Sequence, residues 1–276
     1  MLTIRHHESA RTFLDRARGW LLEREIECAT ALQSARNASG NDSLYERPMY
    51  WATLEDEGSI VGCCYRTPPY HVGVTALPEA GVTTLVADLL GTYDKISGFS
   101  GPEKTATALA QGWTAARGGS WRVTGRQRLL ALPNEPRTGG TPGTLRLAGA
   151  KELSLAQSWG AALSLDSRGT PFNATFCAQL AAAKRLYFWV DDKPRCMVGV
   201  LRESERFAAV GLVYTPATYR AQGYATTALA ALQRLFAERR IERAYLYVDP
   251  ANDPHIALGE KLGGTLVHDE VDIECT

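Results

Sequence analysis

The sequence lacks most of what would mark a metal protein, a membrane protein or a nucleic-acid binder. Its 276 residues carry 30 Lys and Arg against 30 Asp and Glu, a formal net charge of zero, so the basic surplus that neutralises a phosphate backbone is missing. No uninterrupted apolar run approaches the ~20 residues that cross a bilayer. Neither H-E-x-x-H nor C-x-x-C occurs, and the five histidines show no zinc spacing; no metal site is expected. The six cysteines, Cys28, Cys63, Cys64, Cys177, Cys196 and Cys275, are scattered over the whole length. They read as free buried thiols of a reducing compartment. The first residues, MLTIRHHESAR, hold no apolar leader core, which adds to the expectation of a cytoplasmic protein.

What is present suits a globular chain. Hydrophobic residues make up 45% and charged residues 22%, and the length suggests two domains of roughly 100–200 residues. Phe13, Leu14, Ala17, Trp20, Leu21, Cys28 and Leu32 recur near helical spacing, which predicts one amphipathic helix over residues 9–36. Strands are expected at 49–54, 60–65 and 70–75, helices at 82–90 and 104–116, and a strand at 121–132. Residues 133–142, rich in Pro, Gly, Asn and Thr, read as a linker.

The second half repeats the plan. A helix ends at about 184, strands follow at 186–190, 196–202 and 207–214, and a helix runs from about 225 to 240. YWATLEDEGSIVGCCYRTPPYHVGVT and YFWVDDKPRCMVGVLRESERFAAVGLVYT share an aromatic strand, an acidic turn, a Val-Gly strand and a second Val-Gly strand, in that order. This reads as a duplicated α/β unit. The boundaries expected are 1–135 for the first domain, 136–144 for the linker and 145–276 for the second. The aromatic run Tyr187, Phe188, Trp189 reads as a buried central strand, adjacent His6 and His7 as exposed, and Cys63–Cys64 as strand packing.

The halves diverge after the third strand. Only the second continues with Arg220-Ala-Gln-Gly-Tyr-Ala225 and then a long helix. A helix start leaves backbone N–H groups unpaired and carries partial positive charge, so a loop feeding it can wrap a phosphate. Gly223 permits close approach of the backbone and Ala225 is small. Arg220 and Gln222 add side-chain donors, and Thr226 adds a hydroxyl.

This segment resembles the Q/R-x-x-G-x-G/A motif of the GNAT acyltransferase superfamily. Gly211-Leu-Val-Tyr-Thr-Pro216 before it is similar to that family's fourth strand, residues 244–249 to its fifth, and Glu260-Lys-Leu-Gly263 to its Y-E-K-L-G segment. The resemblance covers residues 145–274. The whole chain also resembles two-domain members whose N-terminal half keeps the fold but loses the cofactor loop. It implies a duplicated acyl-CoA N-acyltransferase fold, an α/β architecture with a mixed, mostly antiparallel central sheet flanked by helices. It also implies acetyl-CoA as cofactor and direct attack by an amine in a ternary complex. Leu212, Val213, Tyr214, Thr215, Arg220, Ala221, Gln222, Gly223, Tyr224, Ala225, Thr226 and Asn252 would contact the coenzyme. The main-chain N–H near Val213 would polarise the thioester carbonyl.

One position departs from the family pattern. Its usual tyrosine, which protonates the leaving thiolate, falls at Gly259. His255, four residues earlier and hence on the same helix face, is the candidate replacement. The missing tyrosine also admits a second reading, a non-catalytic acyl-CoA sensor or regulator. Glu270, Asp272 and Glu274 alternate along the terminal strand and so project from one face. They read either as an acidic wall for a small cationic amine such as an aminoglycoside or polyamine, or as the solvated face of an edge strand. The expected partner is a small-molecule amine acceptor, with neither nucleic acid nor membrane, and the chain is expected as a monomer or homodimer.

Overall fold

The computed structural model describes residues 2–41, 45–46, 48–133, 140–166, 174–204 and 206–276. Two series of elements follow one another. The first is β1 (Leu2–His6), α1 (Ala10–Glu23), α2 (Ala29–Gly40), β2 (Tyr50–Asp56), β3 (Ser59–Arg66), β4 (Val72–Val74), α3 (Glu79–Thr92), β5 (Gly98–Pro102), α4 (Glu103–Arg117) and β6 (Trp121–Leu132). The second is β7 (Thr144–Leu147), α5 (Leu153–Asp166), α6 (Ala174–Ala182), β8 (Leu186–Val190), β9 (Pro194–Glu203), β10 (Phe207–Tyr214), α7 (Tyr224–Glu238), β11 (Arg243–Val248), α8 (Asp253–Lys261) and β12 (Thr265–Cys275).

The two series match element for element, and so does their pairing. In each, the first four strands pair antiparallel in succession and the fifth joins the fourth in parallel. The mixed, mostly antiparallel and duplicated sheet expected from the sequence is present.

The chain divides into two compact units, residues 1–128 with 267–276, and residues 129–266. This differs from the expected boundaries at both ends of the second domain. β12 pairs with β5, Val271 opposite Gly101 and Ile273 opposite Phe99, and buries Val271, Ile273 and Cys275 in the core that holds Val72, Leu89 and Phe99. Leu130 and Leu132 of β6 are buried instead with Val210, Leu229 and Leu246, and β6 neighbours β11. The first unit thus takes most of β12, whereas β6 is divided at Arg128: Trp121 and Val123 pack on the first unit's core and Leu130 and Leu132 on the second's. Most of the linker, 134–139, lies outside the described residues. Its end is packed on the second unit: Thr141 N–H donates to Thr227 Oγ1 at 3.2 Å, and Trp189 Nε1–H to the Pro142 carbonyl at 3.0 Å.

The single helix expected over 9–36 is two. Ile26 lies five positions after Leu21, about 140° around a helix, yet both are buried. One straight helix cannot bury both on one core, so the chain turns at 24–28. Four elements not predicted are β1, β5, β7 and α5. β5 reads Gly-Phe-Ser-Gly-Pro, a turn-like composition. The glycines are required by the packing, since a Cβ on Gly98 would strike the Ile273 carbonyl and one on Gly101 the Val74 carbonyl. All six cysteines are free and buried, as expected; burial raises the Cys28 and Cys196 thiols to about 12. The strand Tyr187–Trp189 is buried. His6 is exposed and bonded to Asp88, whereas His7 is half-buried against Thr53. No described helix is long and apolar enough to cross a membrane, and no metal-holding cluster occurs among the described residues.

Candidate functional site

The second unit opens where β10 and β11 part. Their parallel register runs only from Phe207–Arg243 to Val210–Leu246. On the other side, β10 pairs with β9 at Gly211–Gly199 and again at Tyr214–Met197, with one extra residue between. Leu212 takes a left-handed conformation, φ 48°, at this bulge. For a non-glycine residue this costs about 1–2 kcal/mol. Leu212 and Val213 form this bulge on the β9 side and lie past the end of the β11 pairing, so the edge of β10 that faces β11 is open there to an extended ligand.

The strand then leads into α7 through a short 3-10 turn, Ala217–Tyr219. Ala221 and Gly223 both have positive φ, 60° and 87°. Gly223 is the N-cap of α7 and supplies no side-chain cap. Four amides, Gly223 to Thr226, begin a helix without intrahelical acceptors, and none donates to a protein acceptor among the described residues. All four residues line a cavity of about 470 Å³. Unpaired N–H groups converging at a helix start form an anion site.

The first series lacks this arrangement. There β4 pairs with β5 at Val72 and Gly73, and the connection to α3 is tied to α4, Leu77 N–H donating to Thr105 Oγ1 at 3.1 Å.

The opposite wall of the cavity is α8. Asn252 caps it, accepting from His255 N–H at 3.3 Å, and Pro254 occupies the first turn, where a missing N–H costs nothing. One face of this helix lines the cavity with Pro254, His255, Ala257, Leu258 and Lys261. His255 is half-buried, and burial holds its pKa below the ordinary 6.5 despite the Asp249 carboxylate. The imidazole is thus neutral at pH 7, suited to accept a proton. As pH falls below 6.5 the unfolded chain takes up this proton first, so His255 contributes stability above that pH and loses it toward the lower folded pKa.

Gly259 is buried and does not line the cavity; a Cβ there would strike Leu130 Cδ1. The position holding a tyrosine in the family pattern faces Leu130 of the core here, which would have to move for any side chain. His255 and Gly259, four apart, thus do not share the cavity.

Of the residues expected to contact a coenzyme, Val213, Tyr214, Thr215, Arg220 and Ala221 line the cavity with the four helix-start residues and Asn252. Leu212 and Gln222 do not. Leu212 packs its side chain on the core around Phe188 and Met197, and Gln222 donates to the Thr218 carbonyl at 3.0 Å. Arg220 donates to Asp166 Oδ2 at 2.6 Å and to the Thr215 carbonyl at 2.9 Å. Asp166, Leu163, Tyr219 and Lys261 also line the cavity and were not legible as site residues. The Lys193 ammonium, then Arg195 stacked 4.4 Å over the ring, hold the Tyr219 phenol below its ordinary 10, and Arg195 is itself paired with Asp191 and Asp192.

Glu270, Asp272 and Glu274 belong to the first unit, and none lines this cavity. His268 bonds Glu270 at 3.1 Å, Ser100 donates to Asp272 at 2.6 Å, and Arg122 Nε donates to Glu274 at 2.9 Å.

Residues 157–264 match the family model described as Acetyltransferase (GNAT) family, a span that contains the cavity. No curated protein matches the chain. Among solved structures, an acetyltransferase from the GNAT family of Colwellia psychrerythraea is similar over 99% of this chain and 100% of its own, at 14% identity and TM-score 0.62. A GCN5-related N-acetyltransferase from Sphaerobacter thermophilus aligns over 99% and 95%, at 12% identity and TM-score 0.66. A tandem GNAT protein from the clavulanic acid biosynthesis pathway aligns over 100% and 98%, at 12% identity and TM-score 0.53. At these identities the likeness is one of fold, and it extends over both series of elements. Residues 157–264, which hold the uncapped helix start and the parted strands, are where the chain matches the GNAT acetyltransferase family model.

Proposed function

We propose that this chain transfers the acetyl group of acetyl-CoA to a primary amine of a small acceptor in a ternary complex. The observation that carries the reading is the set of four unbonded amides, Gly223 to Thr226, opening on the cavity beside the gap between β10 and β11. Their donor chemistry fits a diphosphate, and the edge of β10 past Val210, where pairing with β11 has ended, fits an amide-bearing arm that pairs as an added strand. The coenzyme, when bound, supplies an activated acyl thioester.

In this reading the acceptor nitrogen forms a bond to the thioester carbonyl carbon. The Val213 N–H stabilises the charge that develops on the carbonyl oxygen. The C–S bond then breaks, the thiolate leaves with its electron pair, and the nitrogen gives up its extra proton. We assign His255 as the base that takes this proton. With glycine at position 259, the sulfur departs as the thiolate, which its pKa near ~8.5 permits, and solvent protonates it afterwards.

Thiol release from acetyl-CoA in the presence of a panel of primary amines tests the proposal. Amine-dependent release supports it, and the finding that no amine raises release above background overturns it. The absence of the phenolic acid also favours the second reading, an acyl-CoA sensor, which predicts tight binding without release for every amine.

Two variants sharpen the assignment. His255→Gln is expected to lower kcat by 10²–10⁴-fold and to remove the decline in rate that the wild type shows as pH drops below 6.5. An unchanged profile would rule out the base. Asp166→Asn releases Arg220 from its carboxylate. Both side chains are about half exposed, 50% and 48%, so the pair is worth little, and the expected gain in coenzyme affinity is at most about fivefold. Weaker binding would show that Asp166 orients Arg220 rather than competing for it.

A further inference from the structure

We infer that Lys261 holds the 3′-phosphate of the coenzyme; this assignment rests on the reading of the cavity as an acyl-CoA site. The coenzyme carries three phosphates, and the four amides at the start of α7 account for the diphosphate alone. The third is a separate anion on the ribose and needs its own cation.

The cavity wall offers two basic side chains besides His255, Arg220 and Lys261. Arg220 is committed to Asp166 and to the Thr215 carbonyl. Lys261 is exposed and has no carboxylate in salt-bridge range among the described residues. It also shares the cavity with the four α7 amides. Pro254, Ala257, Leu258 and Lys261 recur at helical spacing along one face of α8, so the lined face spans about 10 Å from Pro254 to Lys261, at 1.5 Å per residue. The cavity thus continues from the capped start of α8, beside His255, to a solvent-facing ammonium at its far end. A ligand with its reactive end near Val213 and His255 and its diphosphate on α7 would extend an outer group toward that ammonium.

A lysine in the last turn of a helix also interacts favourably with the helix dipole, and that role alone predicts no ligand selectivity. The two roles separate in a binding experiment with coenzyme A and 3′-dephospho-coenzyme A on the full chain. The wild type is expected to bind coenzyme A about tenfold more tightly than the dephospho form, with the difference shrinking in high salt as an exposed charge pair requires. Lys261→Met is expected to erase that difference by weakening coenzyme A alone, and Lys261→Arg to keep most of it.

Equal wild-type affinity for the two ligands, or an equal loss for both in Lys261→Met, overturns the assignment while leaving the acyl-CoA reading intact. A wild type that binds neither ligand removes the acyl-CoA reading itself, and this inference with it. A thermal melt of Lys261→Met at unchanged Tm excludes misfolding as the cause of a loss.

Discussion

Replacing Thr226 by glutamate is expected to lower coenzyme A affinity at least 100-fold while leaving the melting temperature unchanged or higher. Thr226 is the third residue of α7, after N-cap Gly223, and it lines the cavity. A glutamate three residues past an N-cap folds back onto the N-cap amide, and a carboxylate in the first turn stabilises the helix by about 0.3–1 kcal/mol. The same carboxylate would occupy the amides proposed for the diphosphate and repel it. A 100-fold loss corresponds to about 2.8 kcal/mol, more than the helix gains. The two readouts therefore move independently, and a general loss of structure cannot mimic the result. Thr226→Gln, which keeps the shape without the charge, is expected to lose less than tenfold. Calorimetric titration of Thr226→Glu that returned the wild-type affinity would remove the helix start from the binding site.

Restoring the family's tyrosine is expected to harm the protein rather than improve it. Gly259→Tyr should lower the Tm by roughly 10 °C and leave thiol release no faster. Position 259 is buried, and a Cβ alone already strikes Leu130, itself 8% exposed in the core of the second unit. Overpacking a core of this kind costs about 1–3 kcal/mol for added methylenes, and a ring stands at or above the top of that range. For a unit of this size, each kcal/mol shifts Tm by about 3 °C. Adding Leu130→Ala should recover part of the loss, because both groups compete for one space and such neighbours are not additive. A faster, equally stable Gly259→Tyr would mean that the ring reaches the cavity after all, and would return the leaving-group acid to this helix.

The fold and the helix start that lines the cavity were unevenly legible. The loop from Arg220 to Thr226 could be read from the chain because its chemistry is local. Consecutive residues make a left-handed turn, an uncapped helix start and four spare amides. The duplicated plan was equally readable, since each hairpin carries its own strands and turn. Residues that meet from far apart were not. Asp166 reaches Arg220 across 54 positions, and no short motif announces it. Spacing put His255 and Gly259 on one helix face, yet packing sends one to the cavity and the other into the core. The alternating carboxylates of β12 suggested a charged wall, and that alternation was real. The buried residues between them, Val271 and Ile273, attach the strand to the first unit.

By itself, the sequence determined the class of fold, the repeat and the glycine-bearing turn into α7, because each depends on neighbours along the chain. Tertiary structure alone decided that β12 joins the first unit, that a side chain at Gly259 would meet Leu130, and that Lys261 stands on the cavity wall. Those outcomes follow from competition for buried volume between residues more than 100 positions apart, as with Leu130 and Gly259, and no local pattern encodes that competition.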